Sequence, residues 1–558
     1  MYKILIIIGL ILSSFYLSAQ YSNANIDKQL RERGEVYISI SKSEAINNQK
    51  ALASFDYDKS EKSRLYFYAN QSAIKSIKSK SIDILLEPIP SLLHKVRMLE
   101  STEAFSSVWD AYPTYQQYDS IMHKFALDFP ELCKVYNLGT LQSGRKILAV
   151  QLGDSVDVDQ HEPSFLYTST MHGDETVGYI MSLRLIEYLL QNYNSDPQVK
   201  LLMDSIDIWI NPLANPDGTY YTGNNSVNGA KRYNENNVDI NRNFPDPEDG
   251  LHPDGNQYQQ ETQVFMSFAD SVDFVMSANM HSGVEVVNYP WDTWAQLHAD
   301  DAWWVYVSKM FADTVHVNSP NGYMTMFGSG YTNGFQWYSV WGSRQDYMNY
   351  YKHCREFTLE LSGTKLLPEN QLQAHWEYLK PSLLNYMQEV TYGLHGRVTD
   401  SITGFAVKAK VKVLNHDVDS SLIYCSDSGY YHRPILAGNY NVKFSAFGYK
   451  SKIININSYN AQAVINNVEL APGADYIVDI NYNPKVEIFP IPSHNKLNIS
   501  SEDIINKVEI YDIHGRIVYE IANNNKQFII SIDSLKSGIY FLRLISKEGV
   551  SDHKIIIN

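Results

Sequence analysis

Four short apolar runs constrain this chain more than any other feature: residues 165–170, 206–210, 274–280 and 357–361. Each is short for a buried helix and is bounded by turn residues or charges, which is the pattern of strands covered on both faces. Between and before them, apolar residues recur at helical spacing over 115–129 and 177–190, and 133–138 and 147–152 read as further strands. The predicted fold class for residues 101–392 is therefore α/β, built around a mixed sheet whose strand-end loops can hold a site.

At 558 residues the chain is too long for one ordinary domain. Residues 20–100 carry strand-like runs at 36–40 and 65–68 with helical stretches between, and predict a small α+β domain. It is either a removable pro-segment or a permanent accessory, and the sequence leaves both open. Beyond residue 392 helical periodicity gives way to period-two alternation between turn residues. Residues 393–473 read as a small β-sandwich and 474–558 as a second β unit, neither with a cluster of catalytic residue types.

Residues 1–19 have a basic start at Lys3, an apolar core and small residues before Gln20, the pattern of a secretory signal peptide cleaved after Ala19. No other stretch is long enough to span a bilayer, so the mature protein is expected to be exported and soluble. The charge sum of 46 against 62, or −16, with no basic block, argues against nucleic acid or an anionic membrane as partner and accommodates a cationic substrate. Cys133, Cys354 and Cys425 lie far apart and predict buried thiols, with neither a disulfide framework nor a thiolate zinc site.

Chemistry concentrates where the apolar runs end. Met171-His172-Gly173-Asp174-Glu175 sits between a strand and a helix, so His172 and Glu175 can converge as an imidazole nitrogen and a carboxylate, both suited to Zn2+. A His-x-x-Glu pair alone is weak, since about one arises by chance in a chain this rich in histidine. His281 closes the run 274–280 and offers a third donor, leaving zinc an open position for water. Glu360 lies inside the apolar run 357–361, where an ionised side chain is costly without a function or partner, and it could take a proton from activated water. The loop around Arg232, Asn241 and Arg242 supplies guanidinium forks that match a carboxylate and could polarise a carbonyl.

With these residues stand Asn215-Pro216-Asp217-Gly218, Asp239-Ile240-Asn241-Arg242-Asn243-Phe244-Pro245, Asn288-Tyr289-Pro290-Trp291-Asp292, Thr332-Asn333-Gly334-Phe335-Gln336-Trp337-Tyr338, Gln345-Asp346-Tyr347 and Thr358-Leu359-Glu360-Leu361-Ser362. In this order the series resembles the zinc metallocarboxypeptidases, in particular the regulatory branch with carboxypeptidases N, E, M and D. The resemblance implies that His172, Glu175 and His281 bind zinc and that Glu360 is the general base and acid. It implies that Arg232 stabilises the oxyanion, that Asn241 and Arg242 grip the substrate's terminal carboxylate, and that Tyr338 closes over it. It implies that Asp292 and Gln345 line a pocket for a terminal Lys or Arg.

Two departures stand out. Ser282 replaces a Gly, and Ser343-Arg344 replaces a Gly-Met pair, so a guanidinium aimed into the pocket would oppose a cationic substrate. Residues 393–473 resemble the family's transthyretin-like sandwich. Phe489-Pro490-Ile491-Pro492, Tyr511-Asp512-Ile513-His514-Gly515-Arg516 and Leu535-Lys536-Ser537-Gly538-Ile539-Tyr540 resemble a type IX secretion sorting domain. That tail implies the type IX machinery as a partner and passage through periplasm and outer membrane to the cell surface or medium. The expected activity is hydrolysis at peptide or protein C-termini. Its rivals are an inactive peptide-binding module that keeps the fold and a zinc amidase of cell-wall peptides.

Overall fold

The structure, a computed structural model, describes residues 23–52, 54–77, 82–100, 109–473, 486–513, 515–546 and 550–558. The predicted signal peptide lies outside the described residues. The chain divides into two compact units. One holds the described residues up to Arg397 together with Val411–Val442 and Asn455–Asn467, and the other holds Val398–Lys410, Lys443–Ile454 and Val468–Asn558.

The first unit opens on a four-stranded antiparallel sheet, with β1 (Glu35–Ser41), β2 (Asp56–Glu61), β3 (Arg64–Asn70) and β4 (Ile84–Glu87) in the order β2-β3-β1-β4. Alternation along β1 divides its side chains between two environments. Val36, Ile38 and Ile40 pack into a core with Ile26, Leu30, Phe67 and Ile74, beneath the helices Asn23–Arg33 and Gln71–Ile77. Tyr37, on the other face, clusters with Tyr66, Tyr68, Ile89 and the distant Tyr233. This second face is therefore docked against later parts of the same unit.

An eight-stranded mixed sheet follows. Its strands are β5 (Cys133–Thr140), β6 (Lys146–Leu152), β7 (Ser164–Ser169), β8 (Asp207–Asn211), β9 (Phe274–His281), β10 (Glu285–Tyr289), β11 (Tyr331–Asn333) and β12 (Arg355–Leu361), in the order β11-β10-β12-β9-β7-β8-β6-β5. The middle is parallel, with β12 on β9, β9 on β7 and β7 on β8. The four apolar runs form these central strands. Antiparallel β5 and β6 extend one side, and on the other β10 runs antiparallel to β12 while β11 lies parallel to β10.

Helices cover both faces, which is why the central strands are apolar throughout. Phe165 and Tyr167 of β7 pack with residues of the helices Val177–Asn192, Asp301–Asn318 and Leu372–Gln388. Leu166 packs oppositely with Phe265 and Phe268 of Gln260–Ser271 and with Tyr347 and Met348 of Arg344–Tyr351. The predicted helix at 115–129 is observed at Tyr115–Asp128. Its start carries a capping box, in which Thr114 and Gln117 each bond the other's backbone N–H.

Past residue 392 the described elements are strands, as the alternation predicts. In the second unit the strands Lys496–Tyr511, Gly538–Ser546 and Val550–Ile557 pair antiparallel around a core that includes Leu497, Val508, Ile510, Leu542 and Ile555. Cys133, Cys354 and Cys425 are all buried. No described helix is long and apolar enough to cross a membrane.

Candidate active site

Parallel β7, β9 and β12 bring their carboxyl ends to one rim of the sheet, the usual location of sites in open α/β folds. His281 is the last residue of β9, and the β9–β12 register pairs it with Glu360. His172 and Glu175 follow β7, whose Ser169 pairs with Met280 next to His281. The turn that carries them is fixed by close backbone packing. A Cβ at Gly173 would lie 2.4 Å from the carbonyl carbon of Gly218, so only glycine admits the Asn215–Gly218 loop beneath it. Asn215 secures the contact by donating a hydrogen bond from its side-chain amide Nδ2 to the carbonyl of Met171 at 3.1 Å.

Three donors meet here. His172 Nδ1 and His281 Nδ1 are 3.1 Å apart, and the Glu175 carboxylate spans them, with Oε1 2.9 Å from the first and Oε2 2.8 Å from the second. All three residues are buried. Two nitrogens each 2.0–2.1 Å from a tetrahedral zinc would be separated by about 3.3 Å, so the observed spacing fits that ion. His172 Nε2 is 3.0 Å from Asp239 Oδ1, a carboxylate placed to accept its proton and leave Nδ1 free as a donor. The Asn279 amide is 2.8 Å from the corresponding Nε2 of His281. Around Glu175, Ser282 donates its backbone N–H at 3.1 Å and Lys365 its ammonium at 2.7 Å.

Glu360 lines the same cleft, and its Oε2 is enclosed without a hydrogen-bond partner. Burial, reinforced by the negative charge of Glu175, pushes its pKa in the metal-free cleft up to about 8, and a divalent cation held beside it would favour the ionised form. Arg232 is held by Asp239 at 3.0 and 2.7 Å, and its third nitrogen reaches Glu175 at 3.4 Å. Arg242 and Asn241 line the cleft from one loop, where Arg242 Nη1 bonds the carbonyl of Asn241 at 2.8 Å. Tyr338, directly after the short helix Gly334–Trp337, also lines it.

Deeper in the cleft, Asp292 Oδ1 accepts from Asn288 at 3.1 Å and from Gln345 at 3.0 Å. A Cβ at Gly334 would fall 2.0 Å from that oxygen, so glycine keeps the carboxylate accessible. Burial raises the pKa of Asp292 to about 6. Arg344 does not oppose it. Its guanidinium is buried away from the cleft, bonded to Glu356 at 2.8 Å and to Thr168 Oγ1, and rests 5.2 Å from the Phe265 ring.

Every site residue expected from the sequence thus lines one cleft or touches a residue that does. Four partners were not expected from the sequence. Asp239 lay in a recognised motif without a role, Lys365 had no signal, and Tyr57 and Asp58 reach the cleft from the N-terminal sheet. A second group of metal-type donors, Asp300, His416 and Asp417, was also unforeseen, because the sandwich segment offered no cluster of catalytic residue types.

A family model described as zinc carboxypeptidase matches residues 118–382, and one described as secretion system C-terminal sorting domain matches 487–558. Carboxypeptidase D of Mus musculus is 34% identical over 366 residues, which cover 62% of this chain and 26% of that protein. The chain therefore spans about a quarter of that relative's length. Carboxypeptidase SOL1 of Arabidopsis thaliana is 31% identical over 351 residues, covering 61% of this chain and 68% of the relative. Carboxypeptidase M of Mus musculus is 30% identical over 394 residues, covering 66% of this chain and 82% of the relative.

Proposed function

The chain belongs to the zinc carboxypeptidase family, and from that premise we propose that it hydrolyses the last peptide bond of peptides or protein C-termini, releasing Lys or Arg. The observation that carries this reading is the meeting of three zinc-type donors with an unpartnered Glu360 oxygen and two arginines in one cleft.

His172, Glu175 and His281 would hold the zinc, with Asp239 fixing the tautomer of His172. Zinc, when bound, supplies a Lewis acid that polarises the scissile carbonyl and makes water acidic enough to lose a proton near neutral pH. Glu360 takes that proton as the water oxygen bonds to the carbonyl carbon. It then returns the proton to the leaving nitrogen as the C–N bond breaks. Arg232 faces the oxygen on which negative charge grows, and Asp239 keeps its fork from turning away. Arg242, with Asn241, grips the terminal carboxylate and so sets which bond meets Glu360. Tyr338 closes the cleft against water.

Asp292, oriented by Asn288 and Gln345, answers the charge of a Lys or Arg side chain. The Arg344–Glu356 pair supports this specificity, because it neutralises the cation that would have repelled such a substrate. The match at 487–558 to a secretion sorting domain supports export by type IX machinery, and we place the protein at the cell surface or in the medium.

The test is turnover. The purified chain is expected to release free Arg or Lys from short peptides, to lose this activity to a chelator and to regain it with zinc. Glu360→Gln is expected to lower kcat by about 10²–10⁴ while zinc stays bound. Undiminished release by that variant would remove Glu360 from its role.

A further inference from the structure

A second pair of imidazoles, neither of which lines the cleft, is pressed nitrogen to nitrogen. The antiparallel strands Gly393–Asp400 and Tyr430–Arg433 set His395 directly opposite His432. Direct partners in such a ladder carry their Cβ atoms about 4.5–5.5 Å apart on one face, a spacing from which two imidazoles reach a common point. These rings meet through Nδ1, with the two atoms 2.7 Å apart and the ring planes inclined at 65°.

The surroundings leave this gap open to a cation. His395 is buried and its Nε2 is enclosed without a hydrogen-bond partner, so Nδ1 is the atom through which the ring meets its neighbour. Burial pushes the pKa of His395 down to about 4. Burial together with the charge of His395 pushes that of His432 down to about 3, so both rings are neutral bases near neutral pH. Arg397, two positions further along the same face as His395, would repel an ion if it turned inward. It is bonded instead to the carbonyl of Ser428 at 3.1 Å and lies over the Tyr430 ring at 5.4 Å, and His161 stacks on that ring at 4.6 Å. His432 is only part-buried, which leaves water a way to complete a coordination shell.

We propose that His395 and His432 form a second metal site, for a divalent transition ion that prefers imidazole nitrogen, of the Zn2+ or Cu2+ kind. Two nitrogens bound at about 2.0–2.1 Å to one ion stand ~2.9–3.3 Å apart in square or tetrahedral arrangements, so a small turn of the more exposed His432 ring admits it. The proton shared between the two Nδ1 atoms moves to the Nε2 of its own ring as the ion takes its place, and both imidazoles stay neutral. The ion ties the two strands together and is held independently of the catalytic zinc.

The experiment counts metal. The full chain, His395→Gln and His432→Gln are each brought to equilibrium by dialysis against Zn2+ and read by elemental analysis, with peptide hydrolysis as the check that each is folded. Both variants are expected to hold one zinc fewer than the unsubstituted chain, their affinity for that ion having fallen more than about tenfold, with hydrolysis unchanged. An equal count in the unsubstituted chain and either variant overturns the inference and leaves the carboxypeptidase reading standing. If a variant loses hydrolysis as well, crystals of the unsubstituted chain grown with Zn2+ decide. Anomalous scattering at the zinc edge is expected between the Nδ1 atoms of His395 and His432, and its absence there overturns the inference.

Discussion

Two groups in the first unit hold the same kinds of donor and differ in what already occupies them. His172, Glu175 and His281 form one, and Asp300, His416 and Asp417 the other. In the second, Asp300 is bonded by Arg433 at 2.8 and 2.9 Å, by Arg355 at 2.8 Å and by His416 at 2.8 Å, and Arg433 also bonds Asp417 at 2.7 Å. Two carboxylates face two guanidinium groups, so the charge is met by the chain itself. In the first, Lys365 and Arg232 touch only the carboxylate, and the two imidazole Nδ1 atoms face each other with no cation of the protein between them. Residue type alone does not make a metal site. A metal site also needs donors whose countercharge the fold has withheld.

The sharpest way to break this contrast is to remove one donor from each group. His281→Ala is expected to lose stoichiometric zinc and to lower kcat/KM by more than about 10³, since the metal and Glu360 act together. Elemental analysis with a turnover assay reads both, and full zinc retention would discard His281 as a ligand. Asp300→Asn is expected to keep zinc and to cost about 3–5 kcal/mol of stability by stranding two buried arginines. Denaturant unfolding measures that cost, and zinc loss without destabilisation would reverse the roles of the two groups.

A smaller effect sharpens the reading of the pocket. Asp292 must be ionised to attract a Lys or Arg side chain, and burial sets its pKa at about 6. Below that value it is protonated and the attraction is lost, so the ratio of kcat/KM for Arg-ended over Leu-ended peptides should fall as pH drops through about 6. Asp292→Asn should flatten this dependence. A preference that stays constant from pH 5 to 8 in the unsubstituted chain would assign specificity elsewhere.

The sequence made the catalytic rim legible because strand order and residue chemistry coincide there. His172 and His281 follow apolar runs and Glu360 lies near the end of one, and such runs become adjacent parallel strands. The strand Glu285–Tyr289 and the edge strand Tyr331–Asn333 beside it were not legible, being short and held by pairing with neighbours more than by their own pattern. Lys365 with Asp58, and Asp300 with Arg433, join residues more than a hundred positions apart, and an ion pair of that span leaves no local trace. Arg344 shows the limit within a recognised motif. Its position was evident beside Gln345, but its direction depends on Glu356 waiting beneath it.

Glu356, Thr358 and Glu360 alternate onto the same side of β12, so a single row runs from an acid paired with Arg344 to one whose Oε2 has no hydrogen-bond partner. Its alignment with Ser277 to His281 on β9 holds that row in place. Slippage by one position would turn both glutamates into the opposite helix layer, strand Arg344 without its partner and take the proposed base out of the cleft. Bonding between two neighbouring backbones thereby decides whether hydrolysis is available at all.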